Sequence, residues 1–248
     1  MEKQIIILVI ASRGEAYDVF ITGYWVPLIH YIREHGLPIH VRLLFGKESD
    51  VSGLTLAEDM YLKFNTEESY VPGILQKTLA ALKWTVTNYN FKHVVRTNLS
   101  SVFDIRKLLR ISSSLPNQKV YAGVPGVTDQ KKMFVSGAGI WLSKDLCHTL
   151  VDNADRLNTK IIDDVAIGMF FLEVPNVRMQ GLPRIDVIHQ VPTRNDGIQN
   201  LIAKNPYHIR IKTADRNKDA ALSKCLSMHM LKPSAELPKK CLSDQSTP

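Results

Sequence analysis

No apolar stretch in this sequence is long enough to cross a bilayer. The longest, Ile5 to Ala11, falls far short of the roughly 20 residues that a spanning helix needs. Cysteine is scarce: Cys147, Cys225 and Cys241 form no metal-ligand spacing and no even disulfide set, which predicts a reducing compartment. Cys147-His148 is no nucleophile–base couple, because neighbours on a helix point about 100° apart; a buried structural cysteine is expected there. P-loop, dinucleotide glycine fingerprint, G-x-S-x-G and H-E-x-x-H motifs are all missing, so those nucleotide, hydrolase and metalloprotease chemistries are excluded. The basic residues are not interleaved with aromatics in the RNA-binding manner, and no nucleic-acid partner is expected. No small-residue cleavage site follows Met1-Glu2-Lys3-Gln4. A cytoplasmic protein without signal peptide or transmembrane segment is expected, in the host cytoplasm if the source is a virus.

What remains is an ordinary globular composition, 45% hydrophobic and 22% charged in 248 residues. A chain of this length buries roughly 70% of its unfolded surface and needs no disulfide or metal to hold a core. The net charge is +7, and its placement matters more than its size. Residues 183–248 carry 11 Lys+Arg against 6 Asp+Glu, whereas residues 1–182 carry 20 against 18. The excess in the last quarter of the chain reads either as an approach to an anionic partner, a nucleic acid or a phosphorylated small molecule, or as a solvated basic tail.

Ile5–Ala11 is a continuous β-branched run ended by Ser12-Arg13-Gly14, the pattern of a strand buried on both faces. Apolar residues at helical spacing fill 18–35, and Ile39–Phe45 is a second strand closed by Gly46. This βαβ alternation predicts an α/β protein with one Rossmann-like, mostly parallel sheet and helices on both faces. The longest helical pattern is Ser69–Tyr89, with Ile74, Leu75, Leu79, Leu82 and Val86 in one stripe. His93–Arg96 reads as a strand, Ser101–Ile111 as a helix capped by Ser100 or Ser101. Strands are expected at Val120–Val124, Met133–Ser136, Ile185–Val191 and His208–Lys212, and helices at Ser143–Asn153 and around Ile167–Phe171. One domain, 1–232, is expected, followed by a frayed tail, 233–248.

Three segments carry candidate chemistry. In Val94–Ser101 an apolar strand runs into small polar side chains, the place where open α/β sheets meet ligands; capping of the next helix is the compatible structural role. Phe134–Ser143 holds Gly137-Ala138-Gly139 between apolar runs, which implies either a tight bend or backbone approached closely by a ligand. Asp163-Asp164 sits between apolar neighbours at a helix start. The helix dipole favours an anion there, while a like-charged neighbour and desolvation oppose it. Such a carboxylate can act as a general base or as a plain N-cap.

In this order the segments resemble the β-1,3-galactosyltransferase and Fringe group of GT-A glycosyltransferases. Phe64–Tyr70 looks like that group's "DF-x-D-x-Y", Gln76-Lys77-Thr78 with Leu82-Lys83-Trp84 like its "lKT…LkW", and Val95-Arg96-Thr97 like the "lKT" before its acidic motif. Phe134–Ser143 looks like "ysGgGyvLS", and Asp163–Gly168 like "EDVxxG". The resemblance spans about residues 5–172. It implies a GT-A fold and inverting transfer of a sugar from a nucleotide-diphospho-sugar, UDP-linked by the family's habit, to a hydroxyl of a glycan or glycoprotein acceptor. Asp164 matches the group's catalytic aspartate and is the expected base, with Asp163 second. Ser12, Arg13, Lys77, Arg96, Thr97, Asn98 and Ser100 are expected on the donor, and Gly137, Ala138, Gly139 and Trp141 around the sugar and acceptor.

One departure is large. Where the group carries the acidic run that holds manganese, this chain reads Asn98-Leu99-Ser100-Ser101, and neutral oxygens are poor sole ligands for a dication. Either carboxylates or histidines from elsewhere supply the ligands, or cations neutralise the donor diphosphate. Arg210 and Lys212, on one face of a short strand, are the candidates for the second route, with Arg13 and Arg96. Loss of the acidic run also fits an alternative, a catalytically silent GT-A domain that binds nucleotide or glycan. The group's usual members carry a membrane anchor and stem; a bacterial or viral enzyme without either is expected here.

Overall fold

The computed structural model describes residues 3–192 and 195–231. The expected tail at 233–248 lies outside the described residues. The first strand, β1 (Lys3–Ile10), shows why a β-branched run makes a central strand. Ile5, Ile7 and Val9 face one side of the sheet, Ile6 and Leu8 the other, and all five are fully buried. Each such side chain contributes about 1.5–3 kcal/mol of burial.

The helical stretch expected over 18–35 is one rod in three parts: α1 (Glu15–Phe20), a π segment (Ile21–Trp25) and α2 (Val26–Glu34). Pro27 explains the widening, since its ring would collide with the carbonyl four residues back and it has no N–H to donate. The chain continues through β2 (Ile39–Phe45), β3 (Tyr61–Lys63), α3 (Gly73–Asn88) and β4 (Phe91–Asn98). Next come β5 (Ser101–Phe103), α4 (Ile105–Ser114), β6 (Val120–Gly123), β7 (Pro125–Val127), β8 (Met133–Val135) and β9 (Ile140–Ser143). It closes with α5 (Lys144–Asp152), α6 (Asp163–Glu173), β10 (Arg178–Gly181), β11 (Ile185–Val187), α7 (Asn195–Ala203), β12 (His208–Ile211) and α8 (Arg216–Leu231).

The main sheet has seven strands in the order β10-β6-β9-β4-β1-β2-β3. Only β9 runs against its neighbours, β4 and β6. Helices α3, α5 and α6 cover one face; α1, α2 and α8 cover the other, with the small sheet β11-β12-β5 beside them. The expected α/β class, mostly parallel sheet and two-sided helical cover are all present.

The helix expected over Ser101–Ile111 is corrected. Ser101–Phe103 is a buried strand paired antiparallel with β12, and the helix starts only at Ile105. Its cap is Asp104, whose carboxylate accepts from the Lys107 amide, so neither Ser100 nor Ser101 caps it. Cys147 is free and buried as expected, and burial pushes its thiol up; Cys225 is buried in α8. Cys241 lies outside the described residues.

Helix α6 crosses the β7–β8 hairpin at close range through Gly168. A Cβ there would stand 2.5 Å from Phe134 Cβ and 2.8 Å from its Cα. Since backbone cannot yield as a side-chain tip can, Gly168→Ala should destabilise by about 1–3 kcal/mol. Urea unfolding would measure this; a neutral result would mean that the hairpin shifts freely.

Candidate functional site

The C-terminal edge of the central strands gathers four groups of polar residues. The first closes the ends of β1 and β2 around Glu68. Its Oε2 accepts from Ser12 Oγ (3.0 Å) and Lys77 Nζ (2.7 Å), and its Oε1 from Ser49 Oγ (2.6 Å) and the Gly46 amide (2.5 Å). Burial pushes the Glu68 carboxyl up, but bonds from Lys77, Ser49 and Gly46 outweigh it and leave the group below its usual range. Lys77 is almost fully buried and also donates to the Ala11 carbonyl at 3.0 Å. Its ammonium thus braces the end of β1. Arg13 follows on the rim, forked onto Asp18 at 2.9 and 3.1 Å.

The second group lies at the end of β4. Asn98 is half-buried and its Oδ1 accepts from Ser100 Oγ at 2.8 Å, while Ser101 Oγ (3.0 Å) and Thr97 Oγ1 (2.7 Å) both donate to the Ala138 carbonyl. The polar cluster that interrupts the apolar run therefore holds the glycine loop in place. A manganese ion of the kind the resemblance implies does not fit these residues. Their oxygens are neutral and two of the hydroxyls are spent on a carbonyl. Among the described residues no group of three or more His, Cys, Asp or Glu is placed to hold a metal.

The third group contains the two aspartates. They open α6, and their environments differ. Asp163 is buried and ion-paired with Arg96, itself buried in β4, whose guanidinium also donates to the Gly137 carbonyl. Burial drives the Asp163 carboxyl up while Arg96 pulls the other way, and the net shift is upward. Asp164 is partly exposed. Its Oδ2 accepts from the Gly137 amide at 2.8 Å and its Oδ1 from the Val165 amide at 2.9 Å. Each oxygen keeps a second lone-pair site, so the carboxylate is held in one rotamer and can still accept a proton.

Glycine at 137 and 139 is required by what crowds it. A Cβ on Gly137 would stand 2.6 Å from Arg96 Nη1, and one on Gly139 would stand 2.8 Å from His208 Cε1. His208 is fully buried and stacked on Phe103 with ring centroids 4.3 Å apart; burial pulls its pKa well down, which keeps it neutral. The segment is a tight turn, closed by the Gly139 amide donating to the Ser136 carbonyl at 3.1 Å, so the bend is what the structure shows, and Arg96 and His208 crowd its two glycines.

The fourth group was not foreseen as a unit. Arg184 forks onto Asp186 at 2.5 and 2.9 Å and reaches Ser136 Oγ at 3.2 Å; Arg210 lies 3.9 Å from the same Asp186. Leu182-Pro183-Arg184 carries no motif, and only the basic excess after residue 183 pointed toward it. Lys212 is exposed, one residue beyond β12.

The edge thus unites Asp164, Asp163, Arg96, Thr97, Asn98, Ser100, Gly137, Ala138, Gly139 and Arg210, with Ser12, Arg13 and Lys77 toward β1. Trp141 is a correction. It points from β9 into the core, fully buried, with its ring near those of His93 and Tyr207, so it lines no sugar or acceptor pocket. Strand alternation sends Ile140 and Leu142 to one face and Trp141 to the opposite one.

Fold and edge together define a mixed α/β protein with polar side chains gathered at strand C-termini. No family model and no curated protein sequence matches the chain. Among solved structures it is similar to a glycosyltransferase involved in the glycosylation of the major capsid of PBCV-1. The TM-score is 0.54 at 9% identity, over 89% of this chain and 98% of that one. At that identity the likeness establishes a common fold. A second similarity is to the catalytic domain of Drosophila β1,4-galactosyltransferase 7, with TM-score 0.43 and 7% identity over 72% of this chain and 64% of that one; it carries no argument here. No described helix is long and apolar enough to cross a membrane.

Proposed function

We propose that this chain is an inverting glycosyltransferase that moves a sugar from a nucleotide-diphospho-sugar to an acceptor hydroxyl. One observation supports it above the rest: Asp164 is a partly exposed carboxylate, fixed by two backbone amides, beside an aspartate already consumed by Arg96. An acceptor hydroxyl within reach of Asp164 loses its proton to the carboxylate as its oxygen attacks the anomeric carbon. The bond from that carbon to the diphosphate oxygen breaks on the opposite side, and the electron pair leaves with the nucleoside diphosphate. Asp163 cannot share this role while it neutralises Arg96. Ser12 and Arg13 at the end of β1 lie on the side proposed for the nucleotide, and the Gly137–Gly139 loop under the sugar. UDP is the nucleotide proposed, on the family resemblance, and a glycan or glycoprotein the acceptor.

The test is hydrolysis or transfer across a panel of nucleotide sugars, followed by release of the nucleoside diphosphate. Release from at least one donor is expected. Binding of a donor without any release, in the presence of varied acceptors, would instead make the chain a silent nucleotide- or glycan-binding domain.

A further inference from the structure

We propose that Arg210, backed by Arg184, forms a pyrophosphate-binding clamp that does the work a dication would do for the donor; the inference rests on the transferase reading and gives its diphosphate a place. Arg210 stands directly opposite Ser101 in the antiparallel β12–β5 pair. Opposite residues of such a pair project to the same face. Ser101 points at the Ala138 carbonyl, so Arg210 stands on the face of the small sheet that carries the Asn98–Ser101 corner, the place where the acidic run is missing.

Among the described residues Arg210 has one ion-pair partner, Asp186, and Asp164 acts on it at longer range. Asp186 is bound through both oxygens by Arg184, and Arg210 has only the 3.9 Å approach to one of them. Two arginines thus share Asp186 as their ion-pair partner. The Arg210 side chain is 23% exposed, and its buried Nε has no hydrogen-bond partner. A half-buried guanidinium so poorly matched favours an anion, and its fork suits phosphate oxygens. Burial first, then the neighbouring Arg184 cation, lower the proton affinity of Arg210, and the Asp186 and Asp164 carboxylates only partly offset them. Arg184 also holds Ser136, next to Gly137, whose amide fixes Asp164. The clamp and the proposed base are therefore joined through two adjacent residues.

Titration calorimetry on the full chain, with inorganic pyrophosphate and separately with UDP, in EDTA and in manganese, tests the clamp. Binding of both in EDTA is expected. Arg210→Ala should weaken it about 10- to 100-fold, the loss of charge-assisted hydrogen bonds worth roughly a factor of ten per 1.4 kcal/mol. Asp186→Asn should tighten it, because the shared counter-charge is removed; a merely structural role for Asp186 predicts no gain. Arg184→Met should weaken it by releasing Asp186 to Arg210. Binding seen only with manganese, or unaltered in Arg210→Ala, or not tightened in Asp186→Asn, overturns the clamp. Should Arg210→Ala fail to fold, the Asp186→Asn result decides. Pyrophosphate binding that behaves as expected without turnover of any nucleotide sugar keeps the clamp and removes the sugar reading. Turnover that requires manganese and ignores Arg210 does the reverse.

Discussion

Asp164→Asn should lower kcat by about 10²- to 10⁴-fold while leaving donor affinity nearly unchanged. Asparagine occupies the same volume, and its one carbonyl oxygen can still accept from either the Gly137 or the Val165 amide, though not from both. The fold should therefore lose only about 1 kcal/mol, the value of one backbone bond. What disappears is the ability to take a proton. Asp163→Asn should behave in the opposite way. It strands the buried Arg96 guanidinium without its carboxylate, so stability should fall by about 3–5 kcal/mol while the protein that remains folded keeps a working base. Initial rates with saturating donor, donor calorimetry and urea unfolding on both variants separate the two cases. Near-normal kcat in Asp164→Asn, or a larger kcat loss in folded Asp163→Asn, would move the base elsewhere.

That contrast depends on facts of very different legibility. β1 is plain in the sequence because both of its faces are apolar, so each residue is itself the signal. The Asp163-Asp164 pair and the Gly137–Gly139 loop stand out because charge or glycine inside an apolar run is rare enough to need a reason. Which aspartate is buried could not be read, since the answer lies in Arg96, 67 positions upstream in Asp163's own numbering and one strand away. β5 reads as the start of a helix in the sequence because its pairing partner, His208–Arg210, is more than 100 positions downstream. α8 gives little signal in the sequence because its apolar stripe of Leu222, Leu226 and Met230 is narrow and the rest of its buried face is small or polar, Asp219, Ala220, Ser223 and Ser227. Arg184 gave no local sign at all: its value comes from Ser136, Asp186 and Arg210 meeting around it.

Glu68 belongs to the same class, visible only as part of a family-like segment, and it carries the second large expectation. Glu68→Leu should destabilise the protein by about 5 kcal/mol and Lys77→Met by about 3 kcal/mol, the two ends of the range for breaking a buried pair. The order follows from what each deletion strands. Without Glu68, the Lys77 ammonium stays at 1% exposure with only the Ala11 carbonyl to receive it. Without Lys77, Glu68 keeps the Ser12 and Ser49 hydroxyls and the Gly46 amide, and its side chain remains 18% exposed to water. For a chain of this size the melting temperature should fall by about 2–4 °C per kcal/mol. The pH dependence gives an independent check. The folded-state pKa of Glu68 lies below its usual value of 4.5. Its contribution is therefore complete above that value and is lost as the pH falls through the folded-state pKa, because the unfolded chain binds the proton first. Lys77→Met removes the nearest cation and should flatten this acid limb relative to wild type, measured by urea unfolding between about pH 3 and pH 6. An unchanged acid limb, or Lys77→Met costing more than Glu68→Leu, would show that the ends of β1 and β2 are held by something other than this carboxylate.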